Sequence, residues 1–287
     1  MQFVIFPQRA IHKHASKYLK QKMKKISALI FGLISIISFS QEKSEEVILD
    51  SIVKEADLLY KYEKVAWNST DLLMSKRKLK KNYGGYVIYH SNDTIHASFI
   101  DKSQEKRIAR YSFTASDLEV PYNSNFELIE LSESEKELLD IKIKIVNNLS
   151  DEKYEVEFPQ GFNPNLVLLK DENEYRLYII MGTPKSNIIP FGNDYLFKTD
   201  LNGEIKEWKK FHSRVIPAQT EMPNGGKVIS AVHSHLKTTP YITATDICTF
   251  RLYGELYGMK EFMVLSTALG KYFKYNIGEN KITITEP

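Results

Sequence analysis

One cysteine, Cys248, is all that 287 residues contain, so no intramolecular disulfide can staple this chain. No cysteine stands directly after the early apolar stretch, which removes the usual attachment point for a lipid anchor. Charge of one sign is also scarce. The formal net charge is +3, and much of the basic excess sits before residue 30 and in the run from Lys76 to Lys81. That distribution leaves no broad basic surface for a nucleic-acid partner. Phosphate-cradling glycine loops and a serine nucleophile elbow are missing, as are internal repeats and low-complexity tracts. The longest apolar run, Ile26 to Phe39, is short for a bilayer span.

What is present is a core-forming composition, 43% hydrophobic, at a length that suits one large domain or two small ones. Residues 23–40 have the order of a secretory signal: Met23, the basic pair Lys24 and Lys25, the apolar stretch, then Ser38 and Ser40 before Gln41. Residues 1–22 would then be an extension preceding the natural start at Met23. The expectation is an exported protein, periplasmic or secreted, with no stable membrane anchor once the signal is removed. A chain this poor in cysteine suits a bacterial periplasm.

Beyond the signal, two regions are expected, 41–132 and 133–287. In the first, Ile48, Ile52, Ala56 and Leu59 recur at helical spacing from Glu45 to Trp67. A hairpin follows over Tyr86–Tyr89 and Ile95–Ile100, and a strand over Arg107–Phe113. His90 and His96 flank that hairpin turn and could face each other, although surface histidines on a hairpin need no ligand. In the second region, Ser132 with Glu135 reads as a capping box opening a helix with Leu138, Ile141, Ile145 and Leu149 on one stripe. Strands are expected at Leu166–Leu169, Arg176–Met181, Tyr195–Lys198, Glu204–Phe211 and Val228–His235. The Asn202-Gly203 pair joins the third and fourth as a hairpin, because both residues tolerate positive φ. A helix over Ala244–Tyr257 and strands at Phe262–Ser266, Tyr272–Tyr275 and Lys281–Thr285 complete an α+β chain.

The chemistry concentrates in the last strand before that helix. Residues two apart on a strand share a face, so His233 and His235 project together. Neutral imidazoles bind zinc well, and a carboxylate is a common third ligand when a fourth position stays open. Asp246, at the start of the next helix, can fold back to supply it. The alternative is plain: Thr243-x-x-Asp246 is also a capping box, with Asp246 bonding back to the Thr243 backbone.

His233-Ser234-His235, seven residues, Thr243, two residues and Asp246 resemble the JAMM motif of the JAB/MPN metalloproteases. The resemblance spans about residues 133–287. It implies a JAB/MPN-like mixed β-sheet flanked by helices, with an N-terminal helix plus β-hairpin region outside it. It implies Zn2+ on His233, His235 and Asp246, with Thr243 in place of the family's serine. The activity implied is that of a peptidase or isopeptidase in which water activated at zinc attacks an amide. Peptide or protein substrates outside the cytoplasm, cell-wall peptide included, would be its targets.

One element of the pattern is displaced. The family's catalytic glutamate should open an early strand, where Tyr175 stands, and Glu174 is one residue off. A slip of one residue reverses the face unless a bulge intervenes. Asp194, Glu221 and His212 are the other groups able to reach the site, His212 through a hairpin between Glu204–Phe211 and Val228–His235. The alternative function is therefore a JAB-like binding or scaffold protein without turnover.

Overall fold

The computed structural model describes residues 45–286. The expected signal (23–40) and the extension before it lie outside the described residues. Two compact units divide the chain, Met1–Ser51 and Ile52–Pro287. In the first, residues 45–51 are helical.

The second unit is α+β, with several antiparallel sheets and few helices. It begins with helix α1, residues 52–74, whose Ala56, Leu59, Val65 and Leu73 are buried. That spacing is the apolar stripe of a helix lying on a core. A short helix, α2 (Arg77–Asn82), leads into the antiparallel strands β1 (Tyr83–Ser91), β2 (Thr94–Asp101) and β3 (Lys106–Thr114). Asn92 takes the positive φ of the β1–β2 turn. The register pairs His90 with Ile95 and Tyr89 with His96, so the two histidines do not face one another. His96 bonds Ser112 instead. Two short strands, β4 (Asn123–Asn125) and β5 (Ile129–Glu130), edge β3.

Helix α3 (Glu133–Asn148) starts on the expected capping box of Ser132 and Glu135. Glu135 is fully buried and also takes the Arg107 guanidinium at 2.9 Å and Ser98 Oγ at 2.5 Å. One carboxylate thus caps the helix and ties it to the first sheet. The next sheet contains β6 (Asn163–Lys170), β7 (Tyr175–Gly182), β9 (Tyr195–Thr199) and β10 (Ile205–Lys210), in the order β10-β9-β7-β6. Its inward residues Leu177, Ile179 and Phe197 pack with Leu138 and Ile145 of α3 and with Val87 and Ile100 of the first sheet. Residues on both sides of 132 therefore build one core.

Strands β8 (Ile188–Gly192) and β11 (Val215–Gln219) form a separate antiparallel ribbon. The last sheet is mixed: β12 (Ser230–His235) runs parallel to β13 (Glu261–Ser266), which pairs antiparallel with β14 (Lys271–Asn276), and β14 with β15 (Lys281–Thr285). Helix α4 (Ala244–Gly254), extended by a 3-10 turn over Glu255–Tyr257, makes the crossover from β12 to β13. Helix α1 is held to both C-terminal sheets. Glu55 pairs with Arg176 and accepts from Tyr178 Oη at 2.6 Å, while Asp57 pairs with Arg251 and accepts from Asn280.

The sequence pattern anticipated a hairpin between the strands numbered here β10 and β12. It does not form. The Asn202-Gly203 turn commits β10 to β9, and β11 intervenes and pairs with β8.

Candidate metal centre

Strand β12 alternates as a half-buried strand should: Val232 and Ser234 are exposed, while His233 and His235 are buried. Parallel pairing with β13 fixes the inward face; Phe191 and Phe262 pack against His233, and Phe250 packs against both of them. Asp246 arrives on the first turn of α4. Its placement follows from the capping box: Oδ2 accepts from the Thr243 backbone N–H at 2.9 Å and from Thr243 Oγ1 at 2.5 Å. One side chain makes the cap and could also serve, with the histidines, as a metal ligand. Oδ2 makes the cap and also lies 3.2 Å from His235 Nε2, and Oδ1 turns inward with no hydrogen-bond partner although buried.

His212 is the fourth member. It sits in the link between β10 and β11, brought inward where β8 ends. Gly192 there has φ +77°, and a Cβ would lie 2.4 Å from the Arg214 carbonyl oxygen and 3.2 Å from His212 Cβ. Only glycine suits both the backbone and the space. Asn193 continues the turn with φ 51°, which aims Asp194 at the histidine. Asp194 Oδ1 lies 2.6 Å from His212 Nδ1, and Thr245 Oγ1 donates to its other oxygen.

The four groups His212, His233, His235 and Asp246 bring one donor atom each to a common point, all within 4.8 Å of one another. The His212 and His235 Nε2 atoms are 2.8 Å apart, and those of His233 and His235 3.2 Å. Asp246 Oδ1 is 3.3 Å from His233 Nε2 and 3.5 Å from His212 Nε2. A tetrahedron with metal–nitrogen bonds of about 2.0–2.1 Å has edges of about 3.3 Å, so the donor set fits a single small cation.

His235 Nδ1 lies 2.7 Å from the Tyr241 carbonyl oxygen, an atom that only accepts, so Nδ1 carries the proton. The Asp194 carboxylate imposes the same tautomer on His212. In the neutral rings each Nε2 then presents a lone pair inward. Opposed lone pairs and an unpartnered carboxylate oxygen repel unless positive charge lies between them. Burial disfavours a charged His212 ring, but Asp194 and then Asp246 outweigh it and raise the pKa to about 9. Asp246, which burial alone would raise, is held well below the usual carboxylate range by His212, His235 and His233. The positive charge that the facing groups need can come from a proton on His212 or from a bound cation, which the four groups could hold.

The remaining candidates lie elsewhere. Glu174 precedes β7 and pairs with Arg176 Nε at 3.7 Å; it is not in the group. Tyr175, at the position the JAMM pattern assigns to its glutamate, donates to Glu137. Glu221 accepts from Asn187 on the exposed surface. Thr243 touches the site through its bond to Asp246. No family model matches the chain, and neither the curated proteins nor the solved structures include a significant match.

Proposed function

We propose that this chain is a non-hydrolytic, JAB-like binding or scaffold protein that acts outside the cytoplasm and keeps one zinc ion in a closed centre of His212, His233, His235 and Asp246. The observation that carries this reading is the fourth protein donor. Hydrolytic zinc sites keep three protein ligands and leave a position for water, whereas structural sites are closed by four. His212 Nε2 fills the position that water would need. All four residues are buried, His233 the most exposed at 9%, and among the described residues the other carboxylate in contact, Asp194, is committed to His212 and Thr245. Zinc suits three imidazoles and a carboxylate in a tetrahedral array, since it has no geometric preference of its own. The apolar segment at 23–40 supports export.

A second reading is favoured by the spacing of His233, His235, Thr243 and Asp246 and by the helix that follows, which resemble the JAMM arrangement. It makes the protein a peptidase in which His212 yields its place to substrate. Elemental analysis of the purified chain and of His212→Ala, with both incubated with a peptide library, separates the two. The scaffold reading expects stoichiometric zinc and no cleavage by the parent. Chelator-sensitive cleavage by the parent would replace it with the peptidase reading, and a parent without metal would end both.

A further inference from the structure

A second feature lies apart from the metal centre, where α1 faces the start of β6 and the end of β7. A groove of about 530 Å3 opens there to solvent. Its lining includes Glu63, Trp67 and Asp71 of α1, Tyr86 of β1, Asn165 of β6 and Tyr253 of α4. The charge is one-sided. Two carboxylates line it, and no lysine, arginine or histidine does among the described residues. Three aromatic rings line it as well, and Trp67 and Tyr253 pack together with centroids 5.4 Å apart.

The two acids differ. Glu63 is only 4% exposed and lies at the floor, where Asn165 hydrogen-bonds it. Asp71 is exposed at the rim, and among the described residues no ion pair neutralises it. Behind the floor the protein shows what this chemistry selects. The Lys142 ammonium stands 4.3 Å from the Tyr86 ring centroid, donates to the Tyr86 carbonyl at 3.3 Å and lies near enough for its charge to act on Glu63, without an ion pair between them. An ammonium over an aromatic face beside a carboxylate is the combination that binds organic cations. The outer side offers the same combination through Trp67, Tyr253 and Asp71, with room in the groove for an alkyl stem alongside the packed rings.

We propose that this groove is a binding site for a primary amine on an alkyl chain, such as a lysine side chain or a diamine, with the ammonium against Asp71 and the stem along Trp67. The site gives the N-terminal region a role that the metal centre does not use.

Trp67 reports on the groove directly, since the chain has only two tryptophans. The full chain is titrated with 1,5-diaminopentane, pentylamine, 1-pentanol and N-acetylglucosamine while tryptophan fluorescence is followed. Both amines should change the emission saturably and the alcohol should not. Trp67→Phe should abolish the signal, and Asp71→Asn, at an exposed position, should raise the amine's half-saturation about three- to tenfold. Far-ultraviolet circular dichroism checks that both variants are folded. The proposal is overturned if no amine gives a saturable change, if pentanol or the sugar binds as well as pentylamine, or if folded Asp71→Asn binds amine like the parent.

Discussion

Asp194 Oδ1 stands 2.6 Å from His212 Nδ1, and this contact decides which nitrogen of the imidazole faces the candidate metal centre. A carboxylate behind a histidine ligand fixes the ring's tautomer and makes it a better donor. Asp194→Asn keeps the shape, but its amide can present either an oxygen or an NH2 group to Nδ1, and the negative charge is gone. Metal affinity should fall about 10- to 100-fold, measured by competition with a chromophoric chelator. Unchanged affinity would mean that His212 does not ligate.

Removing the metal should loosen the fold around β12 and α4. Ligand binding to the folded state alone contributes about 2.7 kcal/mol at a metal concentration 100 times Kd. For a unit of this size that corresponds to a Tm shift of about 5–10 °C. Calorimetry with and without chelator reads the difference, and identical melting curves would count against a structural metal.

Asp246 has two separable jobs. Asp246→Asn keeps an oxygen able to accept from the Thr243 backbone N–H, yet removes the charge that faces three imidazoles. Asp246→Ala removes both. Each should lose stoichiometric metal, and the alanine variant should be less stable than the asparagine one by about 1 kcal/mol, the usual cost of a lost cap. Urea melts of both metal-free variants measure that gap. If the two melt alike, the contacts of Oδ2 with Thr243 contribute nothing.

The parts of this architecture that rest on local rules were legible in the sequence. Period-two alternation put His233 and His235 on one face, the Ser132 and Thr243 caps marked the starts of α3 and α4, and Asn202-Gly203 marked the β9–β10 turn. The β8–β11 ribbon was not legible. Pro190 and Pro217 stand opposite each other in it, and proline argues against a strand. With the ribbon went the route by which His212 enters, and His212 was reached through a hairpin that does not exist. One local signal was available: Gly192-Asn193-Asp194 is a turn whose glycine has no substitute, and it delivers the carboxylate that holds His212. Glu63 was not legible at all, because its burial depends on β1, α3 and β6 closing over α1.

That buried acid makes a prediction of its own. Burial pushes the Glu63 carboxyl from its ordinary 4.5 up to about 7, against the hydrogen bond from Asn165 and the charge of Lys142. Burial likewise lowers the Lys142 ammonium from 10.5 to about 8, against the pull of Glu63. The folded protein therefore binds the Glu63 proton more tightly than the unfolded chain. Its contribution is complete below about pH 4.5 and declines as pH rises through about 7, by on the order of 3 kcal/mol in all. Lys142 acts in the opposite window. The folded state prefers it neutral, so stability is regained as pH climbs from about 8 towards 10.5. The pair should thus leave a shallow minimum near pH 7–8. Urea unfolding of the parent and of Glu63→Gln at pH 5, 7.5 and 10 tests this. The difference between the two proteins should shift in favour of the glutamine variant between pH 5 and 7.5, because glutamine has no proton to lose. A difference constant across that interval would show that the Glu63 carboxyl titrates as it would in water.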